Sequence, residues 1–174
     1  TPTVVVGGSG SSGITVGAVV DGKYRVDSVI GQGGMGAVFR AWDVRLERPV
    51  AIKVVRADLI SDPDSRARFN RESKIVARLQ HPSIVTVYDY GNLADGAAFL
   101  VMEFVDGRDL DSLVTRVGPL SLSAAVDCVV QAGRGLDKAL DQLLTLPLGE
   151  GRPVTSLLFL VDVTRSLKEA AFGE

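Results

Sequence analysis

Two short motifs between residues 31 and 53 carry groups that are well suited to hold a chain of phosphates. Residues 31–38 read GQGGMGAV, which fits G-x-G-x-x-G-x-V, and residues 50–53 read VAIK. Glycines allow a tight turn whose backbone N–H groups come close to phosphate oxygens, because a Cβ there would block the approach. The final lysine of the second motif, Lys53, supplies a positive charge for those oxygens.

The glycine pattern alone also fits dinucleotide sites and plain glycine turns, so the elements around it decide between these readings. Residues 24–30 alternate in part and residues 37–43 are apolar and aromatic, which is typical of two strands. A third strand is predicted over residues 50–56, after a turn at 45–49. A dinucleotide fold needs a helix after its loop, and a Walker A loop needs G-x-x-x-x-G-K-[ST]. The order strand–loop–strand therefore favours a different kind of phosphate site.

A second glycine run near the start of the chain offers an alternative nucleotide site. Residues 8–13 read GSGSSG after three valines, and this also fits G-x-G-x-x-G. A dinucleotide site would require a helix next and an acidic residue about 20 positions further on. The following residues, 14–17, are β-branched and end in glycine, which is a poor helix start. We interpret residues 1–22 as a linker and keep the dinucleotide site as the less favoured alternative.

A helix is predicted to begin at the sequence Asp62-Pro63. Aspartate is a good N-terminal cap, and proline suits the first turn. One carboxylate, Glu72, falls on the apolar stripe of this helix, where a charge is costly unless it is paired. The dipeptide His81-Pro82 is expected to end the helix. The stripe consists of Phe69, Glu72, Ile75, Val76 and Leu79.

Two more strands and two more helices are predicted downstream. The strands cover residues 84–90 and 97–103, and the loop between them reads GNLADG. A short helix is predicted over residues 109–116 and a longer one over 121–140. One face of the longer helix carries Leu122, Val126, Val129, Gly133, Leu136 and Leu140.

Composition narrows the class of protein. With 174 residues, 46% of them hydrophobic and 23% charged, the chain is a globular protein with one good core, or one and a half lobes of something larger. The net charge of −2 gives no reason to expect nucleic acid or an anionic membrane as a partner. The single cysteine, Cys128, excludes an internal disulfide framework and fits a reducing compartment, so a cytoplasmic location is expected.

Neither a membrane span nor a signal peptide is predicted. No apolar run approaches the length of about 20 residues that a bilayer-spanning helix needs, and the run LLFLV at residues 157–161 is far too short. The chain starts at Thr1, without methionine and without the charged start and apolar core of a signal peptide. We expect it to be a piece of a longer protein.

The glycine loop and the VAIK motif together resemble the small, N-terminal lobe of a protein kinase. The loop sequence GGMG at residues 33–36 is similar to that of bacterial serine/threonine kinases of the eukaryotic type. The resemblance covers about residues 22–139. It implies an α+β fold: an antiparallel sheet of about five strands with one packed helix, then a hinge and an incomplete helical large lobe. The implied parts are a linker at 1–22, the small lobe at 23–103, the hinge and first large-lobe helices at 104–139, and a divergent tail at 140–174.

The resemblance implies a site for the phosphates of ATP. Lys53 would contact the α- and β-phosphates, and an ion pair with Glu72 would hold the lysine in place. The histidine of His81-Pro82 would be structural rather than a ligand or a base. The glycines over the phosphates would be Gly31, Gly33 and Gly36.

The resemblance also implies a site for the adenosine. Residues 100–107, LVMEFVDG, resemble the kinase hinge, with Met102 in the gatekeeper position. The carbonyl of Glu103 and the N–H of Val105 would face the adenine edge, and Asp109 falls where the family often has a polar ribose contact. Ile30, Val38 and Ala51 would form the apolar slot around the ring.

The catalytic motifs of the family have no counterparts here. After residue 139 the family continues with H-R-D and a downstream asparagine, and then with D-F-G. Neither motif is present in residues 140–174. The catalytic base and the residues that hold Mg²⁺ therefore have no carriers, and Asp162, in the run LVDVTR, is only a weak candidate for a metal ligand. No metal site is predicted.

The resemblance implies that the chain is the ATP-binding portion of a serine/threonine protein kinase. ATP is the expected ligand, and a protein is the expected substrate in the intact family member. No nucleic-acid partner is expected. The alternative is a non-catalytic module of the pseudokinase kind, or a truncated gene product.

The missing motifs predict that the purified chain does not transfer phosphate from Mg·ATP to a generic protein substrate. Positioning and charge stabilisation carry this reaction, and the catalytic base and the metal ligands that contribute to them are absent from the sequence. Incorporation of labelled phosphate is the measurement, with Lys53→Met as the matched control. Transfer by the parent chain that disappears in Lys53→Met would contradict the prediction.

Overall fold

The computed structural model describes residues 14–34 and 36–144. The glycine run at residues 8–13 lies outside the described residues, as do Met35, the apolar run at 157–161 and Asp162. The same holds for most of the tail predicted at 140–174.

Six antiparallel strands form one sheet in the order β1-β2-β3-β4-β6-β5. The predicted α+β fold with a small-lobe sheet is confirmed. The sequence predicted about five strands, and the additional one, β1, lies within the stretch interpreted as a linker. Two residues are too few to show a periodic pattern, so only pairing with β2 reveals this strand. The strands are β1 Val19–Val20, β2 Tyr24–Gly33, β3 Gly36–Asp43, β4 Arg48–Val55, β5 Val87–Asn92 and β6 Ala98–Glu103.

Three α-helices and one 3-10 turn complete the described part. The turn covers Ala57–Ile60, and the helices are α1 Pro63–Val76, α2 Leu110–Val117 and α3 Leu122–Leu144. The start of α1 matches the prediction, because the Asp62 carboxylate accepts the N–H of Ser65 at 2.8 Å.

The predicted end of α1 at His81-Pro82 is wrong by several residues. The helix ends at Val76 with Ala77 as its C-cap, and the next stretch buries Leu79. In the same way β5 begins at Val87 rather than at residue 84, because the N–H of Ile84 bonds to the His81 carbonyl in a turn. The burial of Leu79 and Ile84 in the tertiary structure thus decides where α1 ends and where β5 begins.

The chain divides into two compact units. The first contains residues up to 77 together with 87–104, and the second contains residues 78–86 and those from 105 onward. The first unit holds the whole sheet and α1, and the second holds α2 and α3.

The sheet of the first unit is two-sided, and β4 shows this most clearly. Val50, Ile52 and Val54 belong to one buried cluster, whereas Ala51 and Lys53 alternate with them on the opposite face. Side chains of neighbouring strands complete the cluster, among them Val26, Phe39, Ala41, Phe99 and Val101.

The sheet is curled strongly enough for β2 to contact β5, although three strands separate them in the sheet. The Tyr24 hydroxyl donates to the Asp89 carboxylate at 2.9 Å, and Lys23 Nζ lies 3.2 Å from the same oxygen. Burial and then the hydrogen bond to Asp89 raise the pKa of Tyr24 to about 12. Burial favours a higher pKa for Asp89, but the hydrogen bonds from Tyr24 and Lys23 outweigh it and lower that pKa.

In the second unit α3 has a buried face of small residues and an exposed apolar stripe. Cys128, Gly135 and Ala139 are buried, and a Cβ on Gly135 would lie 3.3 Å from Ser83. The stripe predicted from the sequence faces outward, and Leu122 is 82% exposed. No helix among the described residues is long and apolar enough to cross a membrane. The exposed apolar members of the stripe are Leu122, Val126, Val129, Leu136 and Leu140.

Replacing Tyr24 by phenylalanine is expected to lower the free energy of unfolding by about 1 kcal/mol at pH 7, because it removes one hydrogen bond and keeps the ring. The lowered pKa of Asp89 means that its contribution is present above about pH 4, the ordinary range of aspartate, and is lost as the pH falls through the folded value. The raised pKa of Tyr24 means that its contribution is lost as the pH rises from about 10.

The difference in the free energy of unfolding between the parent chain and Tyr24→Phe should therefore become smaller at both low and high pH. Urea unfolding followed by the fluorescence of Trp42, the only tryptophan, measures it. A difference that is independent of pH would contradict the assignment.

Candidate functional site

The glycine loop is the turn of the hairpin formed by β2 and β3. Gly33 and Gly36 are the last pair of this ladder, so the loop lies between two strands as predicted. A Cβ built on Gly31, Gly33 or Gly34 would meet no atom within 4 Å. The backbone of these three residues is therefore open to a ligand that approaches closely.

Gly36 has a different role from the other loop glycines. Its φ is +144°, and a Cβ at this position would overlap the carbonyl oxygen of Val54 in β4. The sequence assigned all the motif glycines to phosphate approach. The structure shows that Gly36 is required for the packing of β3 on β4, whereas Gly31 and Gly33 are free of such a constraint.

Strand register brings Lys53 into line with the loop. Gly31 pairs with Val38, Val38 pairs with Lys53, and Lys53 pairs with Leu100. Residues that lie opposite each other in a ladder point to the same face, and neighbouring strands are about 4.8 Å apart. Lys53 is 7% exposed. A glycine-loop backbone and a buried lysine therefore share one cross-strand row.

The next row carries two more of the predicted site residues. Ala51 pairs with Arg40 on one side and with Met102 on the other, and Ala51 and Met102 are both buried. Val38, Ala51, Lys53 and Met102 thus lie on one face. Sequence reasoning missed that Leu100 and Arg40 belong to the same two rows. Counting by twos from Met102 and from Val38 would have found them.

Glu72 lies on the buried stripe of α1, in the same unit as Lys53. It is 7% exposed, and the neighbouring Ser73 donates its hydroxyl to the Phe69 carbonyl at 2.8 Å. A buried carboxylate and a buried ammonium each need compensation by the protein. The burial of Glu72 agrees with its predicted place on the apolar stripe of α1, and its ion pair with Lys53 stays a prediction.

The remaining predicted residues occupy varied positions. Ile30 lies at a bulge of β2 and is 51% exposed, and Glu103 ends β6 and is half-buried. Val105 and Asp109 belong to the second unit. Asp109 caps α2, because its carboxylate accepts the N–H of Ser112 at 2.8 Å and the Ser112 hydroxyl at 2.7 Å. The sequence did not anticipate this capping role.

His81 makes a local hydrogen bond in the second unit. Its Nδ1 accepts the backbone N–H of Ser83 at 3.1 Å, and its carbonyl accepts the N–H of Ile84 at 3.0 Å. Both bonds stabilise the turn that leads toward β5. The side chain therefore stabilises a turn, and that it is neither a ligand nor a base stays a prediction.

The two kinds of loop glycine predict losses of stability of different size when each is replaced by alanine. Gly36→Ala should lower the free energy of unfolding by at least about 2 kcal/mol, because strain at positive φ adds to the overlap with the β4 backbone. Gly33→Ala, the matched control, should change it by less than about 1 kcal/mol. Urea unfolding followed by Trp42 fluorescence measures both. Equal losses would show that the β4 contact is not the constraint on Gly36.

Comparison with known proteins identifies the family to which the chain is similar. The protein kinase domain family matches residues 24–141. The chain is 44% identical over 124 residues to the serine/threonine-protein kinase pkn3 of Myxococcus xanthus, covering 71% of this chain and 23% of pkn3. It is 44% identical over 128 residues to the serine/threonine-protein kinase PknA of Mycobacterium tuberculosis, covering 71% of this chain and 30% of PknA.

A solved structure shows the same relationship. The crystal structure of the Mycobacterium tuberculosis PknI kinase domain superposes with a TM-score of 0.63 at 30% identity, and the match covers 72% of this chain and 51% of that one. The chain thus spans about half of that kinase domain and less than a third of the two curated relatives. The family match and these relatives together show that the chain belongs to the protein kinase family, among the bacterial serine/threonine kinases of the eukaryotic type.

Proposed function

We propose that this chain binds ATP through the glycine loop and Lys53, as the nucleotide-binding part of a serine/threonine protein kinase. The observation that carries the proposal is the cross-strand row from Gly31 to Lys53. It sets an open glycine backbone and a buried ammonium on one face of the sheet. An intact member of this family would transfer the γ-phosphate of ATP to a serine or threonine of a protein.

The phosphates would be held by two complementary kinds of group. Backbone N–H groups of the loop provide donors in a fixed arrangement, and the space at the Cβ positions of Gly31 and Gly33 leaves room for phosphate oxygens. Lys53 provides a point charge for the α- and β-phosphates. Its burial supports this role, because an ammonium shielded from water attracts an anion more strongly than an exposed one.

Glu72 would hold the Lys53 side chain by an ion pair. Both side chains are 7% exposed and lie in one compact unit, which supports the pairing. Removing one member of such a pair leaves an uncompensated buried charge, so both residues would be needed for an ordered site.

The adenine would occupy the apolar face next to Lys53. Val38, Ala51 and Met102 offer apolar contacts there, and the exposed Ile30 would close over the ring. The Glu103 carbonyl and the Val105 N–H would hydrogen-bond the adenine edge. Asp109 would contact the ribose through its carboxylate.

Magnesium has no assigned ligands in this chain. Within the described residues no group of three or more His, Cys, Asp or Glu side chains could hold a metal ion. We therefore assign no step to a metal bound by these residues. The absence of H-R-D and D-F-G from the sequence favours a second candidate function, a non-catalytic nucleotide-binding module of the pseudokinase kind. For either function we propose a cytoplasmic location.

Titration with ATP and with ADP tests the site. Lys53→Met should weaken the binding of both nucleotides by about 10- to 100-fold, which corresponds to the loss of one charge-assisted hydrogen bond. Gly33→Val should also weaken both, because its side chain would fill the open space above the loop. The matched control is Lys74→Met, which removes an exposed lysine from α1 in the same unit. Unchanged affinity in both site variants would show that the loop is not the site.

A further inference from the structure

Phe104 is the first residue after β6 and the last residue of the first unit. The guanidinium of Arg40 lies over its ring, with 5.0 Å between the Arg40 Cζ and the ring centroid. Arg40 belongs to β3, in the cross-strand row with Ala51 and Met102. The contact thus joins the face of the sheet that carries Lys53 to Phe104, the residue at which the chain leaves the sheet.

The position of Phe104 in the chain gives this contact a consequence for recognition. The Glu103 carbonyl and the Val105 N–H belong to the two peptide groups on either side of the Phe104 Cα. Because peptide groups are planar, only the φ and ψ of Phe104 set the angle between this acceptor and this donor. The rotamers open to a side chain depend on φ and ψ, so anchoring the Phe104 side chain restricts the range of angles between these two groups.

The sheet itself does not hold Phe104. The ladder between β4 and β6 ends at the pair Val50–Glu103, one residue before it. The stacking of Arg40 on the Phe104 ring is a side-chain contact that can restrict this backbone beyond the end of the ladder. Arginine suits this task, because its planar guanidinium stacks on an aromatic face, whereas the lysine ammonium is compact and strongly hydrated.

We infer that the Arg40–Phe104 pair positions the two backbone groups that recognise the adenine edge. Both are positioning residues: they act through the Glu103 carbonyl and the Val105 N–H. This inference rests on the proposed ATP site and adds to it a determinant of selectivity for adenine nucleotides over a bare polyphosphate chain.

A second stacked pair in the same unit provides a matched control. The Arg48 guanidinium lies 3.7 Å from the centroid of the Tyr88 ring. Arg48 is the first residue of β4, and Tyr88 lies at the bulge of β5. This pair makes the same kind of interaction at closer range, but neither peptide group beside Tyr88 is assigned to the nucleotide. Its loss should affect stability without affecting selectivity.

The experiment compares two ligands, ATP and inorganic tripolyphosphate, by titration calorimetry on the full chain. Arg40→Ala and Phe104→Leu should each weaken ATP binding by about two- to fivefold, the value of an exposed cation–π contact, and leave tripolyphosphate binding unchanged. Arg48→Ala should change neither affinity. The double variant of Arg40 and Phe104 should lose no more than either single variant, because both remove one interaction. Arg40→Lys should restore part of the ATP affinity.

Phe104→Leu keeps the charge of Arg40, so it distinguishes positioning by the stacked pair from direct attraction of phosphate by the guanidinium. One outcome is that Arg40→Ala loses ATP and tripolyphosphate binding equally while Phe104→Leu loses neither. This would mean that Arg40 attracts phosphate directly, which overturns the inference. ATP binding equal to that of the parent in both Arg40→Ala and Phe104→Leu, with Lys53→Met still impaired, would overturn the positioning role alone. A parent chain that binds neither ligand would overturn the proposed site and this inference together. Trp42 fluorescence confirms that each variant is folded.

Discussion

The alternation of side chains along β4 is the constraint on which the rest of the first unit depends. Val50, Ile52 and Val54 enter the buried cluster of the curled sheet, so Ala51 and Lys53 must face the other way. A shift of one residue in register would exchange the two sets, placing a lysine in the apolar cluster. Packing of the three apolar residues thus determines where the charge lies, and the proposed chemistry follows from a requirement of the core.

The glycine hairpin is joined to this strand by its own backbone. Gly36 lies against the Val54 carbonyl, one residue from Lys53, which brings the end of the loop close to the lysine. The open positions at Gly31 and Gly33 lie on the opposite strand of the hairpin, where no packing demand competes with ligand approach. One motif therefore combines a glycine needed by the fold with glycines available for function.

The curl of the sheet and the exit from β6 are both held by side chains rather than by strand pairing. Tyr24 and Asp89 join strands that are not neighbours in the sheet, and Arg40 stacks on Phe104 where the β4–β6 ladder has ended. Neither contact joins residues that are partners in a strand ladder. The fold thus uses few, well-placed polar and aromatic contacts to orient a face that its apolar core has already defined.

Local patterns in the sequence determined the hairpin around the glycine loop and the capped start of α1 at Asp62. They also determined the alternation that places the side chains of Ile52 and Lys53 on opposite faces of the sheet. Neighbouring residues suffice here, because they specify turns, caps and side-chain period. The kinase motifs likewise identified the family. Only the tertiary structure decided the short strand β1, the early end of α1, the packing role of Gly36 and the Arg40–Phe104 contact. The strand β1 pairs with Tyr24 and Arg25, a few residues further on, but it is too short to show a periodic pattern. The packing of Gly36 on β4 and the Arg40–Phe104 contact join residues that are distant in the chain, and no local pattern records which of them meet.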